Sequence, residues 1–457
     1  MKLKRIMAGI AALAMAFSLT ACGGKKEKDS ASEKEASSDS VTEASSETEK
    51  QSGISGQEIT WLSYYDVNPV DSKERSAALS LFEDVYGGKV SFVYTSYEKK
   101  YDVLSEKILG GEPVDMFPYE PNAFPYGAAK ELFQPLDDYI DLDDELWAGI
   151  RDVADSMTYK DAHYVIPYSI SEPACLIYSR NLVKDEGLDD PYKLYESGKW
   201  DWDAFVSMMD DFSGEHGCAG LIGPAAIHST GMPVVGSDGA SLSNNTGSEE
   251  IEKAEQLLEK LSNNGYYTDG LYTRYPSDGS LLFLSAGPWA LSESNGENSD
   301  GDMFLVPFPK APGADKYYID CTFDAKMLAA KSDKGEAVAA YIKCERIAAT
   351  DEKYAAGRKE NALKAHVNDK GEKLKYITEE QYNVISEMTD TSKFTPVFDY
   401  GTGMGRKMST ETYEYESRGA YKNITDGLVS GYEGSPTSWE ELREKWSGVI
   451  DEEIKKY

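Results

Sequence analysis

Aromatic rings stand beside carboxylates at several places in this 457-residue chain. Tyr64, Tyr65 and Asp66 form one such group, and Tyr119 with Glu120 forms another. Carboxylates match hydroxyls that both donate and accept, while flat rings match an apolar face of C–H groups, so these pairings suit a hydroxyl-rich solute. With 31 Tyr, 14 Phe and 7 Trp, the chain has ample rings for such contacts. Signals for covalent chemistry are missing: there is no nucleophile elbow, no HExxH and no Cys/His arrangement. The 80 acidic residues leave room for a surface glycan hydrolase, which needs two carboxylates roughly 5 to 10 Å apart across a scissile bond. Gly401-Thr402-Gly403-Met404-Gly405 lacks the preceding strand and the lysine of a phosphate loop, and reads as a flexible turn. The acidic loop 295–302 lacks the spacing and terminal Glu of a calcium loop. Cys175, Cys218, Cys321 and Cys344 make no CxxC pair, and no His stands at zinc-site spacing, so neither metal nor cofactor is expected. Cys344 falls on an apolar helical stripe as a buried thiol; cysteine spacing leaves any disulfide pairing open.

The elements that must hold these residues alternate in type. Residues 59–63 read as a strand; Ser72 then caps a helix carrying Ala78, Leu79, Phe82, Val85 and Tyr86, which Gly87-Gly88 ends. A strand over 89–94, a helical stripe of Tyr97, Tyr101, Leu104 and Ile108, and a third strand over 114–117 follow. This order implies a parallel sheet with right-handed crossovers, whose ligands sit at the carboxyl ends of the strands. The two aromatic and acidic groups lie in those loops. Residues 164–168 and 174–178 are strand-like, and 169–173 is expected to carry the chain from one lobe to the other. Beyond it, Trp200-Asp201-Trp202-Asp203-Ala204-Phe205 opens a helix with the acidic start that the helix dipole favours. Ile251, Ala254, Leu257, Leu258 and Leu261 stripe another helix, and Ser438 with Glu441 caps a last one carrying Trp439, Leu442, Trp446 and Ile450.

Ahead of all this, Lys2, Lys4 and Arg5 precede a short apolar run, and Leu19-Thr20-Ala21-Cys22 matches a lipobox. Residues 1–21 are expected to be a signal peptide and Cys22 the lipidated start of the mature chain, anchored to the cell membrane on its extracytoplasmic side. Residues 22–57 are polar and free of aromatics, a tether that cannot bury enough apolar surface to order itself. The remaining 400 or so residues exceed one simple core, so two lobes are expected. A formal charge of −33 argues against nucleic acid as a partner.

Taken in order, these segments resemble the family 1 extracellular solute-binding proteins of ABC importers. The resemblance rests on the lipobox and tether, Gly110-Gly111-Glu112-Pro113-Val114-Asp115, Ile166-Pro167 through Leu176-Ile177-Tyr178, the Trp200 to Phe205 segment and Gly287-Pro288-Trp289-Ala290. It implies an α/β, two-lobed fold of the periplasmic-binding-protein kind (type II), with a ligand cleft between lobes joined by a hinge. Lobe one would hold about 58–168 plus about 317–349, and lobe two about 175–310 plus the C-terminal helices. It further implies a monomeric receptor, not an enzyme, that captures a sugar and delivers it to membrane permease subunits; a peptide, polyamine or other polar solute is the alternative cargo. The resemblance marks Trp289 as a stacking ring, Glu172 as a hydroxyl acceptor on the hinge side, Tyr119 as an aromatic contact followed by Glu120, Tyr65 and Asp66 as polar contacts, and His228 as part of a second-lobe loop.

Overall fold

The computed structural model describes residues 54–68, 75–120, 122–269, 274–291, 301–367, 373–409, 419–429 and 438–457. The signal segment, Cys22 and nearly all of the tether lie outside the described residues, as does most of the acidic loop 295–302. Ile54 is already buried, and the Gly56 N–H donates to Gly87 O at 2.8 Å, so the packed chain is under way before residue 57.

Two five-stranded sheets organise the fold. The first runs in the order Lys89–Tyr94, Glu58–Ser63, Met116–Pro118, Lys326–Ala329, Phe133–Gln134. Its first three strands are parallel, but Lys326–Ala329 returns from late in the chain and lies antiparallel to both neighbours. The alternation of strands and helices therefore implied the parallel part and missed the antiparallel return, because that strand comes from far along the sequence. Ile59 to Leu62 are buried, as a central strand covered on both faces requires. Ser76, rather than Ser72, caps the helix that follows: its side chain accepts from the Leu79 N–H at 3.1 Å. Residue 72 itself lies outside the described residues. The second sheet runs Tyr267–Thr268, His216–Gly220, Leu281–Ala286, Cys175–Ser179, Met303–Pro307, with Cys175–Ser179 antiparallel to both partners.

The two halves are joined by paired strands. Residues 164–168 form no strand; the crossing element is Ser169–Ser171, antiparallel to Thr322–Asp324. A parallel pair, Tyr317–Ile319 with Phe394–Pro396, adds a further connection. The helix Gly335–Thr350 packs against the helix Ala77–Ser80 on the first sheet. The helices Glu352–Leu363 and Glu379–Met388 pack on each other and reach the edge strand Met303–Pro307, where Gln381 Nε2 donates to Met303 O at 2.6 Å. Trp439–Ile454 closes the chain against Gly419–Asp426 and Glu249–Asn263. Asp302, from the acidic loop, caps Arg180–Asp185 by accepting from the Ser179 hydroxyl at 2.9 Å and the Asn181 N–H at 2.8 Å. Cys175, Cys218, Cys321 and Cys344 are free thiols.

Candidate ligand-binding site

Directly after the strand Ser169–Ser171, Glu172 lines a cavity. Its backbone takes φ 46°, a left-handed conformation uncommon outside glycine, immediately after Ser169–Ser171. That turn aims the carboxyl at Gly287-Pro288-Trp289, where the Trp289 N–H donates to it. The other carboxyl oxygen, Oε2, is buried without a hydrogen-bond partner among the described residues. A side chain at Gly287 would put its Cβ 2.7 Å from both Glu172 Oε2 and Trp289 Cδ1, so the glycine is what lets acid and indole approach. Burial pushes the Glu172 carboxyl up to about 7. Near neutrality it is then present in both forms, one able to donate to a ligand hydroxyl and the other to accept from one.

Asp324, paired with Ser169 on the partner strand of the ladder, lines the same cavity as Glu172 and adds to the rise of the Glu172 carboxyl pKa. Burial lifts the Asp324 carboxyl to about 6, against the hydroxyls of Ser169 and Ser171, which donate to Oδ2 at 2.8 Å and Oδ1 at 2.9 Å. The cavity, of about 470 Å³, opens beside this ladder, within the range of small-molecule sites. Its lining takes in Glu172, Pro288 and Asp324 together with Arg346, Arg358 and Tyr382. Sequence reasoning missed the arginines. One signal was present: Arg346 stands one turn after the buried Ile342 on an otherwise apolar helix face.

At the carboxyl ends of the first sheet, the aromatic and acidic groups do meet. The Tyr64 hydroxyl donates to Glu120 Oε1 at 2.5 Å, and Lys100 Nζ lies 3.2 Å from Glu120 Oε2. Lys100 is buried and sits 3.3 Å from the centroid of the Tyr97 ring. Both Glu120 oxygens are thus engaged by Tyr64 and Lys100, so that it braces the ring ledge of Tyr64 and Tyr97. Tyr65 packs edge-on to Trp61 and Tyr64, at 5.5 and 5.1 Å between centroids. Burial raises the Tyr65 hydroxyl pKa, opposed by the nearby Lys326. Asp66 accepts from the Asn68 N–H at 2.9 Å in a tight turn. Tyr119, likewise raised by burial, is tied through its N–H to Ala325 O at 3.2 Å, beside the returning strand.

His228 is not exposed in a contact loop. It is 2% exposed, with Nδ1 3.0 Å from Asp320 Oδ1 and Nε2 3.3 Å from Asp399 Oδ2. Burial alone would lower its pKa, but the two carboxylates more than offset that and push it up to about 10. The imidazolium is an internal clamp, with both ring nitrogens taken. Among the described residues no group of three His, Cys, Asp or Glu side chains could hold a metal.

Residues 77–356 match the family of bacterial extracellular solute-binding proteins. No curated protein matches the chain by sequence. Several solved structures share the fold. An ABC substrate-binding protein from Listeria monocytogenes, in complex with cycloalternan, has a TM-score of 0.54 at 15% identity over 87% of this chain and 99% of its own. The galacto-N-biose/lacto-N-biose I-binding protein of an ABC transporter from Bifidobacterium longum, in complex with lacto-N-biose, has a TM-score of 0.58 at 12% identity over 86% and 96%. A family 1 extracellular solute-binding protein from Bifidobacterium longum subsp. infantis has a TM-score of 0.58 at 14% identity over 87% and 100%.

Proposed function

This chain belongs to the bacterial extracellular solute-binding proteins, and from that premise we propose that it captures a sugar or oligosaccharide by hinge closure and hands it to the permease of an ABC importer. The family and its structural neighbours are binding proteins, not enzymes. The carrying observation is the meeting of Glu172 and Trp289 beside the strands that join the two halves. A ring and a carboxyl placed there give a sugar a stacking face and a hydroxyl partner at the pivot. Tyr65, Asp66 and Tyr119 supply contacts from the first sheet, behind which Glu120 holds Tyr64 in place. Solutes named for the neighbours, cycloalternan and lacto-N-biose, are carbohydrates, which supports the cargo.

The moving parts are lobe one, about 58–168 with about 317–349, and lobe two, about 175–310 with the C-terminal helices. The ladder of Ser169–Ser171 with Thr322–Asp324 is the pivot between them. Cys22 carries a lipid anchor on the outer face of the membrane, and residues 22–53 tether a monomeric receptor to it. Among the described residues no helix is long and apolar enough to cross a membrane.

A panel of saccharides, read by thermal shift and calorimetry, tests this reading. A retained saccharide should lose about tenfold or more in affinity on Trp289→Ala. Retention of peptides or polyamines with no saccharide bound would remove the carbohydrate assignment.

A further inference from the structure

The chain has 80 acidic residues against 47 basic ones, so an arginine off the surface should readily find a carboxylate. Arg75, Arg151, Arg180 and Arg274 do so within 4.0 Å. Arg346 and Arg358 have no such partner among the described residues, and both line the cavity beside Glu172.

Arg346 is 8% exposed. Its Nε donates to Leu146 O at 3.0 Å and its Nη1 to Tyr168 O at 3.0 Å. Those backbone bonds fix the plane of the guanidinium and leave Nη2 without a protein acceptor among the described residues. Arg358, half-buried one element later, gives Nη1 to Ala348 O at 2.7 Å and reaches Asp351 only at its backbone oxygen, 3.5 Å away. Burial pushes Arg346 down to about 10 and also lowers Arg358, in the second case opposed by Tyr382 and Asp351. The carboxyls lining the same cavity are held elsewhere. Asp324 is held by two serine hydroxyls, Asp390 by Ser392, and Glu172 by Trp289.

A rigid guanidinium with free donors facing a cavity, beside a second one, is the arrangement that binds a carboxylate end-on. We infer that this cavity receives the carboxylate of an acidic saccharide on Arg346 and Arg358, so that the cargo of the receptor is a uronate-bearing sugar rather than a neutral one. The inference rests on the carbohydrate reading above and specifies its ligand. Glu172, which lines the same cavity, then meets a ring hydroxyl while the arginines hold the charge.

Calorimetry on the mature chain with galacturonate and its di- and trisaccharides, the matched neutral galactosides, and citrate as a non-sugar carboxylate tests the assignment. The acidic sugars should bind at least about tenfold more tightly than the neutral ones, with an advantage that shrinks as salt rises. Arg358→Gln should weaken the acidic sugars by about tenfold or more, a larger loss than for the neutral galactosides. Arg346→Lys keeps the charge but loses the fork, and should weaken the same ligands in a chain whose melting confirms folding. Equal binding of neutral and acidic sugars, or acidic binding indifferent to Arg358→Gln, overturns the inference while the receptor reading stands. Binding of citrate that depends on Arg358, with no sugar retained, removes the sugar and keeps the anion site. If none of the three ligand sets binds, both readings fall.

Discussion

Burial lifts the carboxyls of Glu172 and Asp324 toward neutrality, only partly offset by the Trp289 N–H at Glu172 and by the Ser169 and Ser171 hydroxyls and the Lys326 cation at Asp324. Both folded pKa values, about 7 and about 6, lie above the ordinary 4.5 and 3.8. Their contribution is therefore fully present below the ordinary values and is lost as pH rises through 6 and 7. For Glu172, lifted from 4.5 to about 7, the loss approaches about 3 kcal/mol. Denaturant unfolding of the ligand-free chain should show lower stability at pH 8 than at pH 5, and Glu172→Gln should flatten that slope. An unchanged slope in the variant would mean that the carboxyl is solvated. His228 has the opposite sense of pairing, a cation held between two acids, and its contribution persists until pH rises toward 10. His228→Ala takes the cation from the buried Asp399, leaving it only the N–H donors of Val234, Val235 and Gly401, and should cost about 3 kcal/mol, read as a fall in the unfolding midpoint.

At the scale of elements, the close approaches are what the helices and turns tolerate least. Gly223, in the helix Ile222–His228, faces the carbonyl of Thr425 in the helix Gly419–Asp426, where a Cβ would fall 1.8 Å away. Gly223→Ala must push these helices apart, and a loss of about 1 to 3 kcal/mol is expected in thermal unfolding. The helix Glu249–Asn263 was legible before any coordinates, since Ile251, Ala254, Leu257, Leu258 and Leu261 are all buried as their 3.6-residue spacing requires. The strands Glu58–Ser63 and Lys89–Tyr94 were equally clear. Residues 164–168 read as strand-like but form no strand, because Val165 and Ile166 are buried without pairing; the ladder strand Ser169–Ser171 lies instead inside the 169–173 segment expected to make the crossing. Local apolar content marks burial there and not backbone pairing.

For the whole molecule, the two sheets are bridged by paired strands that belong to neither, which is the construction a hinge needs. Small-angle scattering should record a smaller radius of gyration with saturating ligand than without. A ligand at a hundred times its dissociation constant should add about 2.7 kcal/mol to unfolding, and more at higher excess. A profile indifferent to a ligand that calorimetry shows to bind would rule out closure as the capture step.

Composition and periodicity by themselves determined that this chain alternates strands and helices and that rings and acids cluster at strand ends, while Glu172 and Trp289 were marked by the family resemblance of their segments. Such features depend on neighbours within a turn or two, and side-chain spacing reports them directly. Only the tertiary structure decided how those side chains are employed. Glu120 met Lys100 and Tyr64, His228 met Asp320 and Asp399, and Arg346 met backbone carbonyls and no carboxylate among the described residues. Those outcomes turn on distances across tens to hundreds of residues of sequence, set by the return of Lys326–Ala329 to the first sheet and the packing of Glu352–Leu363 against Glu379–Met388. Charge pairing acts through space, and the local pattern of a chain carries no record of which distant groups will share that space.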